Sequence, residues 1–131
     1  MWGKPPFSID DNCAIDVRDL ATARQWYEEK LGLRRAKLKR EDDSGRPFVD
    51  LQLSDTGGLL TLVELRSGAQ PQHEHVIFNA RNLEKTMAWL KDREVTVEPI
   101  TRDSGGNESF HFIDLDGNRI EVCLEPGKKR G

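Results

Sequence analysis

Four residues of this chain carry groups that a divalent cation or a proton transfer could use: Asn12, Glu64, His75 and Glu121. Two carboxylates, an imidazole and an amide oxygen form an oxygen- and nitrogen-rich set suited to zinc, nickel, manganese or iron. Two of the four stand out by their setting. Glu64 is the one charge in the apolar run LLTLVEL (59–65), where a lone glutamate is costly unless it is paired or at an edge. Glu121 stands in FHFIDLDGNRIEVCL (110–124), in a strand whose Ile120, Val122 and Leu124 share one face while Arg119, Glu121 and Cys123 share the other. Either that second face is open to water, or it lines a cavity where the carboxylate does chemistry.

The elements that must position these groups are short and regularly patterned. Residues 12–18 alternate, with Cys13, Ile15 and Val17 on one face and Asn12, Ala14 and Asp16 on the other, as in a half-buried strand. Asp19 caps a helix that runs to about Leu31, with Leu20, Ala23, Trp26, Tyr27 and Leu31 at helical spacing and Gly32 as its stop. Strands follow at 33–39, 48–53 and 59–65, separated by turns at 40–46 and 56–58. The order then recurs. Residues 75–80 alternate, Asn82 caps a second helix with Leu83, Met87, Leu90 and Ala88 turned inward, and strands follow at 95–100 and in the closing hairpin. The dipeptide Asp116-Gly117 supplies the positive-φ residues of a tight turn in that hairpin.

Superposed, the halves match at a separation of 63 residues: Asn12 with His75, Asp19-Leu20 with Asn82-Leu83, Trp26 with Trp89. Glu64 and Glu121 pair as the glutamates of the two closing strands. The expected fold is therefore α+β, two βαβββ modules (about 8–66 and 73–125) whose curved mixed sheets form one cavity within a single domain, 1–131. On that geometry the four polar residues converge from the faces turned away from the helices and leave coordination sites open, as a catalytic metal requires.

These segments resemble the vicinal oxygen chelate superfamily, which includes glyoxalases, bleomycin resistance proteins and dioxygenases. The resemblance rests on CAIDVRDLATARQWYEEKLGLR, HVIFNARNLEKTMAWL and FIDLDGNRIEV, and it extends over nearly the whole chain. It implies metal ligands at Asn12, Glu64, His75 and Glu121. Asn12 departs from the usual histidine, and its amide oxygen is a weak ligand for zinc or nickel. Glu64 leans toward the glyoxalase type: a metal-dependent lyase or isomerase that moves a proton alpha to the carbonyl of a small oxygen-rich metabolite, with Glu121 as base and Glu64 as second candidate. Two alternatives follow from the same resemblance. One is a metal-free small-molecule binding protein of the bleomycin-resistance type, the other a non-haem iron dioxygenase-like enzyme. Small members commonly form homodimers, and the same is expected here.

Composition narrows the class further. The chain has 131 residues, 33% of them charged, and a net charge of −3, which speaks against nonspecific nucleic-acid binding. It has no long apolar run and no signal-peptide pattern at its first residues, so a cytoplasmic protein without membrane partners is expected. Cys13 and Cys123 fall on faces that do not meet and read as free thiols. Each functional reading has a plainer counterpart. His75 beside Glu74 reads equally as a solvated loop end, Asn12 as a strand-entry residue, Trp26 and Trp89 as core. Arg119 reads as a partner of Glu121, a contact for an anionic substrate or half of a surface salt bridge. Asp16 and Asn79 would line the cavity floor or face a partner subunit, and the sequence leaves the direction of His111 open. Substrate choice falls to the loops 40–46, 66–72 and 101–107.

Overall fold

The computed structural model describes residues 5–37, 45–54, 57–70 and 76–125. Helix α1 (Leu20–Leu31) starts where the Asp19 carboxylate accepts from the Thr22 amide at 3.0 Å, and it ends at Gly32, whose φ of 74° only glycine adopts cheaply. It buries Ala23, Tyr27 and Leu31, with Leu20 and Trp26 partly covered at its margins. Helix α2 (Leu83–Asp92) is capped in the same way, by Asn82 accepting from the Lys85 amide at 2.9 Å. Its inward face is Leu83, Thr86 and Leu90. Ala88, expected to face inward, is exposed; the helical period instead brings in Thr86, whose hydroxyl donates to the carbonyls of Pro6 and Asn82.

The strands are β1 (Cys13–Val17), β2 (Arg34–Arg35), β3 (Phe48–Gln52), β4 (Leu60–Glu64), β5 (Ile77–Ala80), β6 (Thr96–Val97), β7 (Thr101–Arg102), β8 (Glu108–Ile113) and β9 (Arg119–Leu124). They form a four-stranded sheet, β1-β4-β3-β2, and a five-stranded sheet, β5-β9-β8-β6 with β7 also on β8. In each, the first strand pairs parallel with the last and the remaining pairs are antiparallel. The two orders are the same, so the repeat read from the sequence is a repeat of topology. The fold is α+β, and the described residues form two mixed sheets and no closed barrel.

One face of each sheet packs against helix. Ile15, Val17, Leu51, Leu60 and Leu62 do so in the first; Phe78, Phe110, Phe112, Ile120 and Val122 do so in the second, all fully buried. At about 1.5–3 kcal/mol for each large apolar side chain removed from water, these faces hold the fold together. The segment before β1 touches both halves: Phe7 stacks on Phe78 at 5.3 Å and meets the edge of Trp89 at 5.6 Å, Ser8 bridges to Asn79, and the Ile9 carbonyl accepts from the Gly58 amide just before β4.

The closing hairpin differs from expectation in its turn. Ile113 lies opposite Arg119, so five residues, 114–118, connect the strands, and of these only Gly117 has positive φ. The loop is built around Asp114, which accepts from the amides of Asp116 and Asn118 at 2.8 Å each.

Candidate functional site

Strand register decides which candidate residues share a face. In the second sheet Ile77 and His111 flank Glu121 as its cross-strand partners, giving a row Ile77–Glu121–His111 on the face turned away from α2. The direction of His111, open in the sequence, is set by this pairing. The row that matches it in the first sheet, 63 residues back from Ile77, begins at Ala14 and crosses Thr61 and Asp50. Thr61 is thus the first-half counterpart of Glu121, and Asp50 that of His111.

Glu64 lies three positions beyond Thr61, and an odd step along a strand changes face. It shares the helix side with Leu60 and Leu62, opposite Val17, and its Oε2 accepts from the Leu20 amide at 3.0 Å. Its cost inside an apolar strand is met by this contact with the positive end of α1. Asn12 is exposed, and its Oδ1 accepts from the Leu59 amide at 2.8 Å, tying the start of β1 to that of β4. His75 lies outside the described residues. The register therefore does not bring Asn12, Glu64 and Glu121 together, and among the described residues no three His, Cys, Asp or Glu side chains gather as they would around a metal ion. The described members of the expected ligand set do not fit a metal centre.

Around Glu121 the face is polar and half-buried. The Cys123 thiol donates to Glu121 Oε2 at 3.0 Å, and burial first, then the neighbouring carboxylate, push this thiol up to about 12. Arg119 pairs with Glu98 at 2.6 Å, not with Glu121, and its guanidinium holds the Glu98 carboxyl below the usual range. In the matching row of the first sheet the Thr61 hydroxyl donates to Asp50 Oδ1 at 2.6 Å, both residues buried. Arg46 reaches Asp16 at 2.8 Å, and Asn79 donates to Asp10 at 2.7 Å. Thr61 and Asp50 are the site positions that sequence reasoning passed over. Their signal was the alternation of LLTLVEL, which puts Thr61 on the face opposite Leu60, Leu62 and Glu64.

The chain belongs to the Glyoxalase/Bleomycin resistance protein/Dioxygenase superfamily, whose family model matches residues 11–122. Solved structures agree on the fold. A superfamily member from Sphaerobacter thermophilus is 21% identical with a TM-score of 0.70, over 90% of this chain and 98% of that one. A glyoxalase family protein from Enterococcus faecalis is 21% identical with a TM-score of 0.65, over 86% and 94%. TioX from Micromonospora sp. is 18% identical with a TM-score of 0.61, over 88% and 97%. No curated protein matches the chain.

Proposed function

We propose that this protein binds a small organic molecule without a resident metal, as a sequestering or carrier protein of the bleomycin-resistance type. The observation that carries this reading is the pair of rows: where the second sheet has Glu121, the first has Thr61, its hydroxyl committed to Asp50. A symmetric metal site needs a ligand at that position, and Glu64, which looked like one, serves the helix instead. The ligand-contacting face would then be the one carrying Ile77, His111 and Glu121 together with the Thr61–Asp50 row.

A second reading keeps one support. Glu121 and His111 face each other across β8 and β9, a carboxylate and an imidazole on one face, as proton transfer alpha to a carbonyl would use. Metal analysis separates the two. The binding reading expects far less than one equivalent of zinc, nickel, manganese or iron per chain, even after supplementation, with no further loss in Glu121→Ala or His75→Ala. Near-stoichiometric metal that falls in either variant would overturn it in favour of the metal-dependent lyase or isomerase.

A further inference from the structure

A cleft of about 660 Å³ lies between the first turn of α1 and the short edge strand β2, bounded below by β3 from Phe48 to Asp50. We propose that it is a second small-molecule site, which meets the Thr61–Asp50 row at Asp50 but is not lined by Ile77, His111 or Glu121, and that it takes an apolar organic acid. Its volume falls in the range of ligand pockets, and its walls include Leu20, Ala21, Ala36 and Val49.

The charges around it point to the ligand's sign. The three lining carboxylates are committed: Asp19 accepts from the Thr22 amide and Glu64 from the Leu20 amide, both offsetting the partial positive charge of the helix start, and Asp50 accepts from the Thr61 hydroxyl. Arg24 is held by both oxygens of Glu28, each at 3.1 Å. Arg35 is different. It is exposed on β2, opposite Leu51, and lines the cleft. Its backbone belongs to the β2–β3 ladder, but among the described residues its guanidinium has no hydrogen-bond or ion-pair partner. A carboxylate set against this guanidinium gains a charge-assisted hydrogen bond, while an apolar body lies along Leu20, Ala36 and Val49. A basic molecule of the same shape would meet Arg35 and find Asp19, Asp50 and Glu64 already engaged, and a neutral one would leave Arg35 to water.

The test uses the intact protein with octanoate, phenylbutanoate and naphthoate as probes, titrated calorimetrically. At least one acid is expected to bind saturably, and Arg35→Gln to weaken it about tenfold, the size of a lost hydrogen bond to a charged group. The neutral phenylbutanamide is expected to bind correspondingly less well than its acid. Ala21→Trp, at an exposed position of the cleft wall, is expected to block binding while its circular dichroism stays that of the wild type. Amide NMR shifts on adding the acid are expected at Leu20, Ala21, Ala36 and Val49. The proposal is overturned if none of the three acids saturates, if binding is unchanged in both variants, or if the shifts gather at Ile77, His111 and Glu121. None of these outcomes depends on metal content, so this site and the reading of the Glu121 face fail separately.

Discussion

Tyr27, in the middle of α1, donates its phenol to Asp114 Oδ2 at 2.7 Å, across 87 residues of sequence and inside the protein. Asp114 is also the residue around which the loop of the closing hairpin folds, accepting from the amides of Asp116 and Asn118 and from the Asn118 side chain. The same loop reaches the end of β1: the Asn118 side-chain Nδ2 donates to the Asp16 carbonyl at 3.1 Å, and the Asp116 carboxylate accepts from the Arg18 backbone amide at 3.2 Å. The Asp-Leu-Asp-Gly-Asn segment is thus a clamp between the two halves of the repeat. The site rows it holds in place lie in different halves.

This clamp predicts a graded loss of stability. Tyr27→Phe removes one buried hydrogen bond and leaves Asp114 its other donors, a loss of about 1–2 kcal/mol. Asp114→Ala strands the Tyr27 hydroxyl and opens the loop, at about 3 kcal/mol. Urea denaturation measures both, and equal losses would refute the central role given to Asp114. The pH dependence has a definite sign. Burial and the Asp114 charge raise the Tyr27 pKa well above its model-compound value of 10.0, so the folded state holds the proton more tightly than the unfolded one. The contribution is therefore complete below about pH 10 and is lost as pH rises beyond it. Spectrophotometric titration should show this phenol ionising only as the protein unfolds.

The repeat was legible because its markers are local. Caps at Asp19 and Asn82 and tryptophans at 26 and 89 keep a separation of 63, and each helix and first strand follows from its own period. The closing strands were harder to align, because the loops before them differ in length. From the strand registers, Asp50 and His111 are 61 apart and Thr61 and Glu121 are 60 apart. Pairing Glu64 with Glu121 implies 57, a slip of three that moves the side chain to the other face. The alternation of LLTLVEL sets Thr61 and Glu64 on opposite faces but does not say which of them aligns with Glu121, since a glutamate at the end of an apolar strand fits a site and a helix cap equally well. The segment before β1 was illegible for another reason. Phe7 and Ile9 are isolated apolar residues without a period, and only tertiary contacts with Phe78, Trp89 and the Gly57–Gly58 loop show them as core.

Gly58 tests that segment. Its amide donates to the Ile9 carbonyl at 2.7 Å, and a Cβ added there would lie 2.5 Å from the backbone of Asp11. Backbone cannot yield as a flexible side chain does, so Gly58→Ala should cost about 2 kcal/mol or more. Gly117→Ala has open space around the new atom and bears only the strain of a positive φ, at about 1 kcal/mol. Thermal and urea unfolding of the two variants should rank them in that order.

Cys123 should be a slow thiol. With its pKa pushed up from 9.0 to about 12, its thiolate fraction near neutral pH is about a thousandfold below that of an unperturbed cysteine. Because the folded value lies above the unfolded one, the associated stability is complete below about pH 9 and declines as pH rises toward 12. Glu121→Ala removes both the hydrogen bond and the charge of the carboxylate and leaves the larger share due to burial, so iodoacetamide labelling of Cys123, followed by peptide mass mapping, should accelerate about tenfold. Unchanged labelling would mean that the Cys123–Glu121 hydrogen bond does not form in solution.

Glu64 provides the sharpest contrast between a ligand and a cap. Bound to the Leu20 amide, it stabilises the start of α1 through one hydrogen bond and its charge on the helix dipole. Glu64→Gln keeps an acceptor oxygen and should lose about 0.5 kcal/mol, whereas Glu64→Ala should lose about 1 kcal/mol or slightly more. Added salt should narrow the gap between wild type and Glu64→Gln, because only the charge term is screened. A metal ligand would behave otherwise: both substitutions would be severe, and the wild type alone would gain stability on addition of nickel or zinc. Melting curves of the three proteins, with and without each metal, distinguish the two, and the position of Glu64 on the helix side of β4 predicts curves that metal does not move.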